Sequence, residues 1–163
     1  MGGLPEIVGR GEFEALIIRT DHTDETAWRE VAEEASRPWG EDGQYAADLL
    51  LVDDPAWAAA TPEDVREAAR RDKELSVVFV ADGVTMRSPR RALLALDLLE
   101  AEDVENLDPV YYQELIDSPP PREFRTAPAG IHDIHANLSI GNMDFEEFAE
   151  VAADDPEGVY RSC

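Results

Sequence analysis

Apolar and polar positions alternate along this chain in blocks of two kinds. Short, mainly apolar runs recur at Glu14–Thr20, Ala47–Val52 and Ser76–Ala81. Each is short enough for a strand and apolar enough to be buried on both faces. Between them lie stretches with helical spacing. From Asp24 to Ser36, residues Ala27, Trp28, Val31, Ala32 and Ala35 fall on one face, acidic residues crowd the start, and Arg37-Pro38 ends the pattern. Thr61-Pro62-Glu63-Asp64 is a helix start, with Thr61 as cap, Pro62 at the first helical position and Asp64 able to return the capping bond. Val65, Ala68 and Ala69 form the apolar side of that helix. Strand, helix, strand, helix, strand implies parallel pairing through right-handed crossovers.

The alternation changes after Asp82-Gly83. Leu93–Leu99 reads as a fourth strand, although its Leu/Ala content also suits a helix, and Arg122–Thr126 reads as an edge strand. An acidic, Pro-rich surface excursion at about 100–121, with a short helix at Pro109–Ile116, separates them. The last third is helical. Ile131, Ile134 and Leu138 share a face ahead of Gly141, and Asp144 caps a further helix whose Phe145, Phe148 and Val151 point to the core. Gly158–Arg161 is a candidate short final strand. The expected fold class is therefore α/β: one layered domain over residues 1–163, a mixed, mainly parallel sheet of about five strands, and helices on its faces.

Composition changes this picture in one respect. The chain has 37 acidic and 14 basic residues, a net charge of −23, with 44% hydrophobic and 31% charged residues. The balance suits a folded domain. The charge disfavours nucleic acid and anionic membranes as partners and favours a basic protein. No apolar run approaches the roughly 20 residues of a membrane helix. The N-terminus lacks the basic and apolar regions of a secretory signal. The only cysteine, Cys163, is terminal, so no internal disulfide is possible and a reducing, cytoplasmic setting is expected. A chain that presents the Cys163 tail for modification is one alternative reading. Seven of the 14 basic residues fall between Arg66 and Arg91, as a counter-patch or a second interface.

Candidate chemistry is sparse. Ligands in open α/β sheets bind beyond the carboxyl ends of the parallel strands, and those ends carry Asp21, Asp53, Asp54 and Asp82. Converging carboxylates there could hold Mg²⁺ for phosphoryl transfer or hydrolysis. Asp is also a common residue for ending strands and capping the next helix, and no cofactor is the first expectation. His132 and His135 lie three apart with Asp133 between them, and His22 stands elsewhere, but the spacing is not that of a zinc helix. Asn137-Leu138-Ser139-Ile140-Gly141 lacks the first glycine and the preceding strand of a nucleophile elbow. No phosphate-binding glycine loop is present. Aromatic residues set among carboxylates offer another role: Trp39, Glu41, Asp42, Asp54, Trp57, Asp108, Tyr111 and Tyr112 could anchor a basic partner. An acidic inhibitor or immunity-type protein is the leading expectation, ahead of a metal-assisted enzyme.

Ile18-Arg19-Thr20-Asp21-His22-Thr23-Asp24 with Trp28, and Asn137–Phe148, resemble a family of bacterial domains of unknown function. Val52-Asp53-Asp54-Pro55 and Gly158-Val159-Tyr160-Arg161 are similar to that family too, so the resemblance spans most of the chain. It implies one intact domain and no activity, cofactor or site. The acidic excursion and the Ser162-Cys163 ending stand as departures from it.

Overall fold

A computed structural model describes residues 14–35, 49–58, 60–69, 75, 77–88, 91–98, 123–139 and 145–160. Three parallel strands form one half of its sheet. The first, β1 (Ala15–Arg19), lies between β2 (Leu49–Val52) and β3 (Val77–Ala81). The helices between them are α1 (Glu25–Ala35) and α2 (Pro62–Ala69), the latter preceded by a 3-10 turn at Pro55–Trp57. A short helix α3 (Gly83–Arg87) then leads to β4 (Leu93–Asp97), which runs antiparallel beside β3. Next come β5 (Glu123–Thr126), a 3-10 turn at Pro128–Gly130, α4 (Ile131–Ser139), α5 (Phe145–Asp154) and β6 (Val159–Tyr160). The sheet order is β2-β1-β3-β4-β5-β6, six strands with only β4 reversed.

The expected α/β layering is present, with three differences. Glu123–Thr126 is not an edge strand, because β6 pairs with it in parallel through Arg125↔Val159 and Thr126↔Tyr160. Helix α3 follows directly on the Asp82-Gly83 end of the third strand, where the sequence predicts no element. Val151 on α5 is 50% exposed, and Ala149 and Ala152 take the core positions beside Phe145 and Phe148. The helix turns slightly further than the large apolar residues alone suggest, so small residues meet the sheet.

Alternation in the strands sorts the core into two layers, one on each side of the sheet. Ala15, Ile17, Val77, Phe79, Leu93 and Ala95 face a layer built from α1, α4 and α5. Leu16, Ile18, Val78, Val80, Leu94 and Leu96 face a layer with Trp57, Val65 and Ala69 from the α2 side. Every residue of β1 and β3 is buried. Helix α2 starts as its sequence demands: the Asp64 amide donates to Thr61 Oγ1 at 3.1 Å, and the Thr61 amide to Asp64 Oδ2 at 3.1 Å. Under β5 and β6 the rings of Phe124, Phe145, Phe148 and Tyr160 pack together, with Phe124 and Phe145 centroids 4.8 Å apart. No helix among the described residues is long and apolar enough to cross a membrane.

The candidate site at the carboxyl edge of the sheet

Strands β1, β2, β3 and β5 all end on one edge of the sheet, and β4 begins there. The order β2-β1-β3 makes the β1–β3 boundary the point where successive crossovers diverge, the usual ligand crevice of such sheets. Asp21, Asp53, Asp54 and Asp82 all lie on this edge, as their strand-end positions require.

Arg19 organises the β1–β2 side. It is the last residue of β1, it faces the α1 layer, and it is 2% exposed. Its Nε donates to the Asp21 carbonyl at 2.9 Å, and its Nη1 donates to Glu25 Oε2 and Asp53 Oδ1, each at 3.0 Å. The guanidinium lies 5.4 Å from the Trp28 ring centroid, within cation–π range. Its Nη2 is buried without a hydrogen-bond partner. His22 sits alongside, with Nδ1 3.6 Å from Asp53 Oδ1, too long for a hydrogen bond, and with Nε2 also buried and unpartnered. Nothing marked Arg19 as a site residue beyond its place in the Arg-Thr-Asp motif. The available signal was a lone cation at the end of an otherwise apolar buried run.

Asp21 turns the chain out of β1. Its Oδ1 accepts from both the amide and the hydroxyl of Thr23. Those two bonds hold its carboxyl below the ordinary range, and the charges of Arg87 and Arg19 assist against a partial burial that acts the other way. Its Oδ2 approaches so near Gly83 that a β-carbon there would stand 3.0 Å away. Asp54 is exposed and caps the 3-10 turn by accepting from the Ala56 amide at 2.9 Å.

Asp82 belongs to a second network. It caps α3 in a reciprocal box with Thr85. It also receives both terminal nitrogens of Arg125 from β5, at 2.8 and 2.9 Å. Arg125 Nη1 and the fully buried Thr85 hydroxyl both donate to the Ala92 carbonyl, so the network ties β3, α3, β4 and β5 together. Burial is the largest single influence on Asp82 and pushes its carboxyl up. The Arg125 bonds and charge, with the Thr85 bonds, outweigh it and leave the group below the usual carboxylate range.

The four aspartates thus share an edge while each is directed at its own partner. Among the described residues no group of three or more His, Cys, Asp or Glu side chains is placed to hold a metal ion. Both oxygens of Asp82 are engaged by one guanidinium, the strongest pairing geometry a carboxylate has. Of the partner-contact residues, Asp54 is exposed, whereas Trp57 is 1% exposed and packs in the α2 layer. Trp57 is therefore a core residue, not a surface anchor. Trp39, Glu41, Asp42, Asp108, Tyr111 and Tyr112 lie outside the described residues, as do the helix expected at Pro109–Ile116 and Cys163. His135 is buried on α4, and the side chains of His132 and Asp133 lie outside the described set.

No curated protein matches the chain. A family model described as a domain of unknown function, DUF6924, matches residues 14–163. That span takes in the Arg19 motif, both aspartate networks and the closing strand, so the chain belongs to the DUF6924 family.

Proposed function

We propose that this is a non-catalytic acidic binding protein, an inhibitor- or immunity-type partner of a basic protein, acting in the bacterial cytoplasm. The observation that carries the reading is where the carboxylates go. Those on the carboxyl edge of the sheet are largely occupied by internal arginines, amides and hydroxyls. The surplus lies on the outer faces of α1 and α5, which cover the same side of the sheet. Glu33 and Glu34 on α1, and Glu146, Glu147, Glu150 and Asp154 on α5, are exposed, whereas Glu25 and Glu30 on α1 are paired with Arg19 and Arg91. Helix α5 contains no basic residue. A predominantly acidic field over these helix faces steers an oppositely charged protein toward that side of the sheet.

Affinity capture from host lysate tests this, at about 50 mM and about 200 mM salt, which separates specific retention from screened attraction. The competing bait carries Glu33→Lys, Glu34→Lys and Asp154→Lys. These positions lie toward helix C-termini, where lysine suits the helix dipole and the fold is preserved. The expected result is one basic protein retained by the native chain at both salts and lost by the reversed bait. Equal retention by both baits, or loss of all retention at the higher salt, rejects the proposal.

A further inference from the structure

Beside the last two strands the sheet has an unfinished border. β6 is only two residues long and reaches Arg125 and Thr126. Glu123 and Phe124, at the start of β5, have no strand neighbour on that side among the described residues. Along this border lies a groove of about 440 Å³. Its apolar wall is made by Phe124 with Ala149, Ala152 and Ala153 of α5, and the carboxylates of Glu123 and Glu150 flank it. Small alanine side chains on α5 are what open the space: larger residues at those positions would close it against the strand.

We propose that this border is a strand-addition site for an extended, basic segment of a partner protein. The inference rests on the acidic-binder reading and deepens it by naming the contact. An added strand would lie beside the start of β5 and take main-chain hydrogen bonds from the amide and carbonyl of Glu123, since those of Phe124 point to β4. Side chains of an added strand alternate between the two faces of the sheet. On one face, apolar residues of medium size would enter the groove over Phe124 and the alanines. On the other, lysine or arginine would lie beside Glu123, with Glu150 at the groove mouth. Charge selects this occupant over the alternatives. The chain's own segment from Glu100 to Asp117 contains no basic residue, so it would meet Glu123 and Glu150 with like charge. A second copy, at −23, is repelled for the same reason. Arg125 does not oppose a basic guest, because its guanidinium is held by Asp82.

The probe is a synthetic octapeptide of alternating valine and lysine, titrated into the full-length, isotope-labelled protein. Alternating valine–glutamate and scrambled-sequence peptides serve as controls. Saturable amide shifts centred on Glu123, Phe124, Ala149, Ala153 and Gly158 are expected with the valine–lysine peptide alone. Ala153→Trp, which fills the groove from an exposed helix position, should weaken binding by about tenfold or more, as loss of an anchoring pocket does. Glu150→Gln should weaken it without altering the groove, which covers the case in which the tryptophan variant misfolds. Val84→Ser, at an exposed residue of α3, should have no effect. Shifts spread over α1 and α5 alike, or affinity unchanged by both groove variants, overturn the proposal. The two readings fail separately. A captured partner indifferent to Ala153→Trp would remove the groove and leave the acidic binder. Peptide binding with no captured partner would do the reverse.

Discussion

Arg19 and Arg125 perform similar work under different constraints. Each is a cation at the end of a strand that holds a strand-end aspartate, but Arg19 is enclosed and Arg125 is only partly so. Arg125 meets Asp82 with both nitrogens, and the depressed carboxyl of Asp82 turns that pairing into a pH dependence. A group whose folded pKa lies below its unfolded value contributes stability that is present above the unfolded value and lost as pH falls through the folded one. Asp82 and Asp21 both start from a reference of 3.8 and are both lowered, so their contribution is whole at neutral pH and disappears below that reference. Asp82→Asn should cost about 1–3 kcal/mol at neutral pH, the usual range for a charge-assisted bond to a partly buried group. The variant should also lose less stability than the native protein on acidification. Urea midpoints measured at neutral pH and at about pH 3 read both effects. An Asp82→Asn protein with native stability at neutral pH and an unchanged acid limb would show that the Arg125 pair is only a surface contact. The sequence showed Asp82 as strand punctuation, and its cap role was legible in Asp82-Gly83-Val84-Thr85. Its partner was not, because Arg125 lies 43 positions away.

Helix α5 illustrates how far an element can be read from its own residues. Its place after Gly141 and the burial of Phe145 and Phe148 follow from its sequence, while the expected cap Asp144 lies outside the described residues. Which other side chains reach the sheet depended on how β5 and β6 receive it. Phe148 is 1% exposed and packs within 5.2 Å of the Tyr160 ring centroid. Val151 points outward. Phe148→Ala should therefore destabilise by about 3–5 kcal/mol, as loss of a buried ring does, while Val151→Ser should stay within about 0.5 kcal/mol of the native protein. Chemical denaturation of the two variants distinguishes them, and comparable losses would mean that α5 is rotated from the register described. The turn after α5 has a simpler cause. Gly158 has φ +70°, a conformation that costs other residues energy, and Asp155 Oδ2 accepts from the Glu157 and Val159 amides to hold it. Helix α3 was missed because its five residues are too few to show helical periodicity, and only the cap marks it.

At the scale of the whole molecule, net charge and internal pairing pull in opposite directions. The long-range field of −23 opposes compaction, whereas the Arg19 and Arg125 pairs are short-range and partly shielded from solvent. Salt screens the first much more than the second. The thermal midpoint should accordingly rise by several degrees between about 10 and about 150 mM NaCl. Calorimetry at several salt concentrations checks this, and a falling midpoint would mean that the internal pairs dominate the electrostatic balance. The sequence alone determined the α/β class, the strand and helix alternation, the α2 capping box and the sign of the field, because each depends on local periodicity, nearest neighbours or composition. The tertiary structure decided the rest. It placed β6 outside β5, buried Trp57, gave each strand-end aspartate its own partner and opened the groove beside α5. Those outcomes depend on which distant segments share an edge of the sheet, and no local pattern encodes that choice.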